Sequence, residues 1–350
     1  MTPRVNWTSL ATASPMGQQH YEVKIQEAMR IAGGSGWQFI TSTVASLRSP
    51  VPANARFPMQ LVHRMPASLA ALAGQIRYPR ADLVHRFDLR VPPGRLPEVV
   101  TAHDLPPARF DDEGGLPRFA MASARRAVGV ICPSKFAADE LRSLCGVTQT
   151  WVIPYGLSAE FQDPKPLPSL DLEALGVQGR YVVHAAGATK RKNLAGLAAA
   201  WQTLQSEGVD ATLVLCGPPD QRRDDAFDGL AAVVKTGRLS LDTVAQLMAG
   251  AAAVVVPSTY EGFGLPALEG MACGAPVVAA RCGALPEVCG DAGLLVEPSG
   301  EGLAAGLSLV LSDSDVAGRL VAQGLRRAKD FDWAVAAAAH LAVYREVLGI

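Results

Sequence analysis

Two glutamates, Glu261 and Glu269, flank a glycine-bearing stretch, and their spacing is the first sign of chemistry in the chain. The string runs Val254-Val-Val-Pro-Ser-Thr-Tyr-Glu261-Gly-Phe-Gly264-Leu-Pro-Ala-Leu-Glu269-Gly-Met-Ala-Cys-Gly-Ala-Pro276. Gly262 and Gly264 let backbone approach a ligand closely. A helix begun at Leu265-Pro266 turns its free N–H groups and dipole toward an anion. Two carboxylates beside an anion cradle suit a phosphorylated sugar: the amides take phosphate, and the carboxylates accept hydrogen bonds from hydroxyls. The plain alternative for Glu269 is a dipole-favoured acid near a helix start, worth about 0.3–1 kcal/mol.

The elements that would position these groups are legible. Val254–Val256 are β-branched and follow three alanines, as at the end of a buried parallel strand. Pro257 and Ser258 stop the strand. Leu268, Met271 and Ala272 repeat at helical spacing, and Gly274 with Pro276 ends the helix. Strand, glycine loop, helix is the arrangement in which open α/β sheets bind ligands, beyond the carboxyl ends of their strands. Upstream, Lys190-Arg-Lys192-Asn193 follows a second apolar run, Tyr181-Val-Val-His-Ala-Ala-Gly187, and precedes a helix expected from Leu194 to Gln205. Cations there oppose the helix dipole, and a bound phosphate would reverse that penalty. A solvated basic turn is the other reading.

The full string of Glu261 and Glu269, with Gly-Phe-Gly-Leu-Pro between, Pro-Ser-x-Tyr before and Met-Ala-x-Gly-x-Pro-Val-Val after, resembles the signature of the retaining family-4 glycosyltransferases. The resemblance implies an α/β GT-B fold: two doubly wound Rossmann-like domains facing across a cleft, with a nucleotide-sugar donor held by the C-terminal one. It further implies that Arg191 and Lys192 contact the donor diphosphate, and that Glu261 with the 262–265 backbone (Gly262, Phe263, Gly264, Leu265) holds the sugar. Glu269 would take the ribose. Gly217, Arg238 and Leu239 would line the nucleotide side. His103, at the end of the apolar run Val99-Val-Thr-Ala-His103-Asp104, would touch the sugar, and Gly17 would stand in a first loop poorer in glycine than is usual. The leaving phosphate itself would take the acceptor proton. The Arg-Lys-Asn form of the phosphate loop is similar to that of mannose-transferring members, which favours GDP-mannose over a UDP-sugar. A nucleotide-sugar epimerase or hydrolase of the same fold and a binding protein without turnover are the rivals.

The rest of the chain agrees with this class. Its 350 residues suffice for two domains, and 49% apolar against 19% charged residues describes a globular chain. No apolar run reaches the ~18 residues of a membrane span, and the start lacks a signal-peptide core. A cytoplasmic location is expected, with the inner membrane face as an extension. Six cysteines without a Cys-x-x-Cys pair suggest buried thiols. No cofactor or metal is expected: Asp313-Ser-Asp315 and Asp330-Phe-Asp332 lie beside helix starts, where Asp is an ordinary cap. Residues 1–158 carry 17 basic against 11 acidic residues, and 159–350 carry 15 against 22. Arginines concentrate between 48 and 95, a stretch suited to an anionic acceptor or a lipid surface, or equally to a solvated face with internal ion pairs. Nucleic acid is not expected, because no aromatic platform accompanies them. The acceptor class stays open among glycan, lipid-linked and small-molecule hydroxyls. Domain limits are expected at 1–158 and 159–330, with a terminal helix in 331–350 crossing back to the first domain. Residues 158–179 read as linker and 50–66 as irregular, and His85 is open between a structural and a ligand-facing role.

Overall fold

Short apolar runs alternate with amphipathic ones throughout, and each run becomes a parallel strand covered by helices. The computed structural model describes residues 2–13 and 17–350. The chain divides into two compact units, residues 1–156 with 332–350, and residues 157–331. Ser14, Pro15 and Met16, in the first loop, lie outside the described residues.

The first unit holds β1 (Arg4–Leu10), β2 (Gln38–Ser46), β3 (Ala55–Phe57), β4 (Leu83–Arg86), β5 (Glu98–Thr101), β6 (Gly129–Cys132) and β7 (Thr150–Val152). Their order is β3-β2-β1-β4-β5-β6-β7, and the pairings are parallel. The strand order reverses between β1 and β4. The terminal helix Trp333–Leu348 packs on the first helix, Gly17–Gly33. Its Tyr344 hydroxyl accepts from Trp7 Nε1 at 3.1 Å and meets His85 Nδ1 at 2.5 Å. His340 Nε2 meets the Tyr21 hydroxyl at 3.1 Å. Both ring nitrogens of His85 are therefore spent inside the unit, the second on Thr101 Oγ1. Burial holds the ring well below the usual histidine range, so His85 is a neutral core group.

The second unit holds β8 (Tyr181–Ala185), β9 (Thr212–Cys216), β10 (Val233–Gly237), β11 (Ala253–Val256), β12 (Val277–Ala280) and β13 (Leu294–Val296). Their order is β10-β9-β8-β11-β12-β13, again parallel. The chain runs outward from β8 to β10, then returns to β11 on the other side of β8. That return makes the switch point at which such sheets bind ligands. Trp201, Leu213, Leu215, Val255, Val278 and Leu307 pack the core behind it.

Three expectations change. Residues 50–66 are not wholly irregular: Ala55–Phe57 pairs with β2, and Met59–Val62 is a helical turn. Prolines 50, 52 and 58 masked so short an edge strand. Residues 158–179 are not a bare linker, because Ser169–Ala174 is helical, Leu167 and Val177 are buried, and Leu167 N–H bonds Gln246 O at 3.1 Å. The 190–192 cations precede the helix at Leu194 as expected, and they form a 3₁₀ turn of their own. The arginines of 48–95 do not form one face either. Arg56 donates to the carbonyls of Ser46, Ser49 and Val51, Arg86 is buried against Glu98 at 3.3 Å, and Arg90 pairs with Asp88 at 2.5 Å. Arg48, Arg64, Arg77, Arg80 and Arg95 remain exposed.

Candidate active site

Two loops meet at the β8/β11 switch point of the second unit. After β8, residues 190–192 form the 3₁₀ turn, and Asn193 closes it at φ 53°, a conformation Asn tolerates. The Asn193 side chain donates to Pro257 O and Pro298 O, both at 2.9 Å, and accepts from Gly196 N–H at 3.2 Å. It thereby caps the following helix, Leu194–Ser206, and ties the basic turn to the loop after β11. Thr259 N–H closes the seam on Arg191 O at 2.8 Å.

The seam places Glu261 against both cations. Its Oε1 accepts from Lys192 Nζ at 2.6 Å and from Ser258 Oγ at 2.7 Å, and its Oε2 accepts from Arg191 Nη1 at 3.2 Å. Glu261 and Lys192 are buried. Burial pushes the Glu261 carboxyl upward, and the charges of Lys192 and Arg191 with the Lys192 and Ser258 hydrogen bonds outweigh it, so the group sits below its usual range. The sequence reading gave Arg191 and Lys192 to phosphate and Glu261 to sugar hydroxyls as separate tasks. In the structure they form one ion cluster.

The turn after Glu261 depends on two glycines. Gly264 has φ +102°, and a Cβ there would stand 2.6 Å from Leu285. Gly283 has φ +55°, and its Cβ would meet Glu261 O at 2.4 Å. Ala284 N–H then bonds Glu261 O at 2.9 Å, and Cys282 Sγ donates to Ser258 O at 2.7 Å. The helix Leu265–Ala272 starts at Gly264 with no side-chain cap; Pro266 carries no N–H, and the Ala267 and Leu268 amides bond Gly264 O at 3.0 and 3.3 Å. Phe263 is buried and packs edge-on against Phe331, ring centroids 5.7 Å apart. Glu269 lies one turn on, partly exposed, and burial first and then the Glu160 charge raise its pKa to about 7.

The remaining donor-side positions lie at neighbouring strand ends. Gly217 follows β9, and its N–H bonds Gly237 O at 3.0 Å. Arg238, exposed, and Leu239, half-buried, follow β10. Sequence reasoning missed Ser258, Cys282 and the pinning role of Asn193. A serine three residues before a glutamate after a strand was the available signal.

In the first unit, Gly17 is exposed at the start of the first helix. His103 is partly buried just beyond β5. Its Nε2 meets Phe87 O at 3.2 Å and its Nδ1 the Tyr155 hydroxyl, so the ring is a neutral tautomer donating to the carbonyl. Burial lowers its pKa to about 4. Beside it, a cluster unmarked by any motif occupies the ends of β1 and β4. Gln18 Nε2 donates to Glu22 at 3.1 Å and to Asp88 at 2.8 Å, and Arg90 caps Asp88. Asp313 and Asp332 are helix caps, accepting from Val316 N–H at 2.9 Å and Ala334 N–H at 2.5 Å. Among the described residues, no three His, Cys, Asp or Glu side chains gather as a metal centre. All six cysteines are free, and all but Cys282 are buried.

Comparison with known proteins places this geometry. Residues 179–313 match the family described as Glycosyl transferases group 1, and residues 38–161 match Glycosyltransferase Family 4. The chain is 31% identical over 291 residues to the alpha-maltose-1-phosphate synthase of Mycolicibacterium smegmatis, covering 72% of this chain and 73% of that one. It is 32% identical over 229 residues to a Mycobacterium tuberculosis protein named GDP-mannose-dependent alpha-(1-6)-phosphatidylinositol dimannoside mannosyltransferase, covering 63% of this chain and 59% of that one. The first mannosyltransferase relatives are matched over only 31% to 59% of their own length. Among solved structures, sucrose-phosphate synthase from Thermosynechococcus elongatus superposes with a TM-score of 0.76 over 99% of both chains at 22% identity. The chain belongs to glycosyltransferase family 4, is similar to mannosyltransferases within it, and has the GT-B fold.

Proposed function

We propose that the chain transfers a sugar from a nucleoside diphosphate to an acceptor hydroxyl, with the anomeric configuration kept and without a metal ion. One observation carries this reading: two cations and a buried carboxylate from the β8 and β11 loops converge beside an uncapped helix start at the switch point. The donor diphosphate would draw Lys192 and Arg191 part of the way from Glu261 and lie at the positive end of the helix after Gly264, which stabilises the charge developing on the leaving group. Glu261, freed of part of its pairing, then accepts from the sugar hydroxyls, and Glu269 accepts from the ribose. His103 supplies a neutral ring to the sugar. GDP-mannose is the favoured donor, on the Arg-Lys-Asn turn and on the names of the mannosyltransferase relatives. In this reading the second unit binds the donor, the first meets the acceptor, and the protein works in the cytoplasm.

The acceptor is a glycan, a lipid-linked sugar or a small polyol. Contact with an anionic membrane at its inner face belongs to the same proposal. Its support is the helix Ala67–Arg77, which exposes Leu69, Leu72 and Ile76 along one stripe, with Arg64, Arg77 and Arg80 around it.

The test is product analysis with GDP-mannose and UDP-glucose, with and without candidate acceptors, in the presence of EDTA. The expected outcome is acceptor-dependent release of nucleoside diphosphate and an α-linked product. Release without acceptor would make the protein a hydrolase or epimerase, and loss of turnover restored by magnesium would end the metal-free reading.

A further inference from the structure

A buried arginine that no motif marks stands behind the two loops on the nucleotide side. Arg223, in the helix Gln221–Ala226, is 3% exposed. Its Nη1 donates to Pro218 O at 2.5 Å and its Nη2 to Ala186 O at 2.6 Å. Ala186 is the first residue past β8, and Gly217-Pro218 are the first two past β9. One guanidinium therefore fastens together the starts of the two loops, one of which goes on to Arg191 and Lys192. Gly217 is shaped to admit it: its φ is +146°, and a Cβ there would stand 2.2 Å from Ala186 O and 2.7 Å from Arg223 Nη2.

Two features exceed what a fastener needs. Arg223 Nε is buried and has no hydrogen-bond partner. The guanidinium also bonds carbonyls rather than a carboxylate: Asp220 and Asp224 act on it through space, without a hydrogen bond or ion pair. A buried cation without a direct carboxylate partner is costly, and a structural tie alone is met by a neutral donor. His184, at the end of β8, lies in the field of this charge. Burial lowers its pKa to about 4, and Lys192 and Arg223 both push the same way. Lys192 and Arg223 thus flank one small region of the sheet end, where Glu261 is the carboxylate held by Arg191 and Lys192.

We infer that Arg223 is a positioning residue for the donor diphosphate: it sets the loop that carries Arg191 and Lys192, and its charge is part of what the diphosphate neutralises. The inference rests on the proposed donor site and adds to it a group that does not touch the ligand. A fixed charge in a low-dielectric site acts over several ångströms without contact.

The test measures affinity by calorimetry for GDP and UDP, and for guanosine and uridine, in the wild type, Arg223→Met and Arg223→Lys. Arg223→Met keeps bulk and removes charge, and Arg223→Lys keeps charge and one donor. For the diphosphate that binds the wild type, Arg223→Met should lose about tenfold in affinity and Arg223→Lys no more than about threefold. The matching nucleoside should change by less than twofold in both. Should Arg223→Met fail to fold, Arg223→Gln, which retains one donor to a carbonyl, carries the same comparison. Equal losses in the charged and neutral variants, or parallel losses for diphosphate and nucleoside, reduce Arg223 to a structural tie and overturn the inference. If the wild type binds neither diphosphate, the donor site itself is wrong and the inference falls with it. If the wild type binds and the variants match it, only the inference falls.

Discussion

At the scale of single residues, the site sets its charges against one another. Glu261 is satisfied by Lys192, Arg191 and Ser258, so a donor that recruits these cations must repay part of a buried pair. The two glutamates therefore differ in kind. Glu261 stays ionised, whereas Glu269, with its pKa raised to about 7 by burial and by Glu160, changes charge near neutrality. For folding, the sign follows from the protons bound. The folded state holds Glu269's proton more tightly than the unfolded chain, so its contribution is complete below the unfolded carboxyl pKa near 4.5. It is lost as pH rises through about 7. For nucleotide binding the sign is opposite, because an ionised Glu269 is the better acceptor for ribose hydroxyls. Affinity for the nucleoside diphosphate should rise several-fold between pH 6 and pH 8 in the wild type, beyond any rise in Glu269→Gln. Calorimetry at the two pH values checks it, and identical pH profiles would remove Glu269 from the ribose. Glu261 and Glu269 stand out in the sequence by their spacing, and Arg191 and Lys192 as cations placed against a helix dipole. Ser258, Asn193 and Arg223 do not, since each acts through a carbonyl or carboxylate that only the folded chain brings near.

At the scale of elements, helices and strands were mostly legible from apolar periodicity. What failed were short pieces whose existence depends on a neighbour: β3 needs β2, and Ser169–Ala174 needs the buried Leu167 and Val177 to fix its ends. The helix Ala67–Arg77 illustrates a different limit. Its pattern is apolar on more than one side, and sequence alone does not say which side is covered. Ala70, Ala71 and Gly74 face the core, while Ile76 is 72% exposed and Leu69 54%. Residues 28–81 contain no Asp or Glu and six arginines. Vesicles containing phosphatidylglycerol should sediment the protein, and vesicles of phosphatidylcholine alone should not. The double variant Leu69→Ser, Ile76→Ser should bind about tenfold less, since half-burying two such side chains is worth roughly 1.5 kcal/mol or more. Its melting temperature should be almost unchanged, because both side chains are exposed. Undiminished sedimentation would move the contact elsewhere or dismiss it.

At the scale of the whole molecule, the alternation of strand and helix fixed two doubly wound sheets, and the family comparison supports that architecture. Each sheet has one reversal of strand order, and the residues singled out beforehand lie at the strand ends around it: Arg191, Lys192 and Glu261 in the second unit, Gly17 and His103 in the first. The sequence could not say that Glu261 and the two cations pair, because the pairing joins loops about 70 residues apart. The central claim is that this switch point holds a nucleoside diphosphate. Calorimetric titration of GDP and UDP tests it most directly, in the wild type and in the double variant Lys192→Met, Glu261→Gln, which removes the Lys192–Glu261 pair together and leaves Arg191 as the remaining cation of the cluster. One of the two nucleotides, GDP by preference, should bind the wild type with micromolar affinity and the folded double variant at least about tenfold more weakly, a charge-assisted phosphate contact being lost. Absence of binding by both nucleotides, or full affinity in the double variant, would contradict the account.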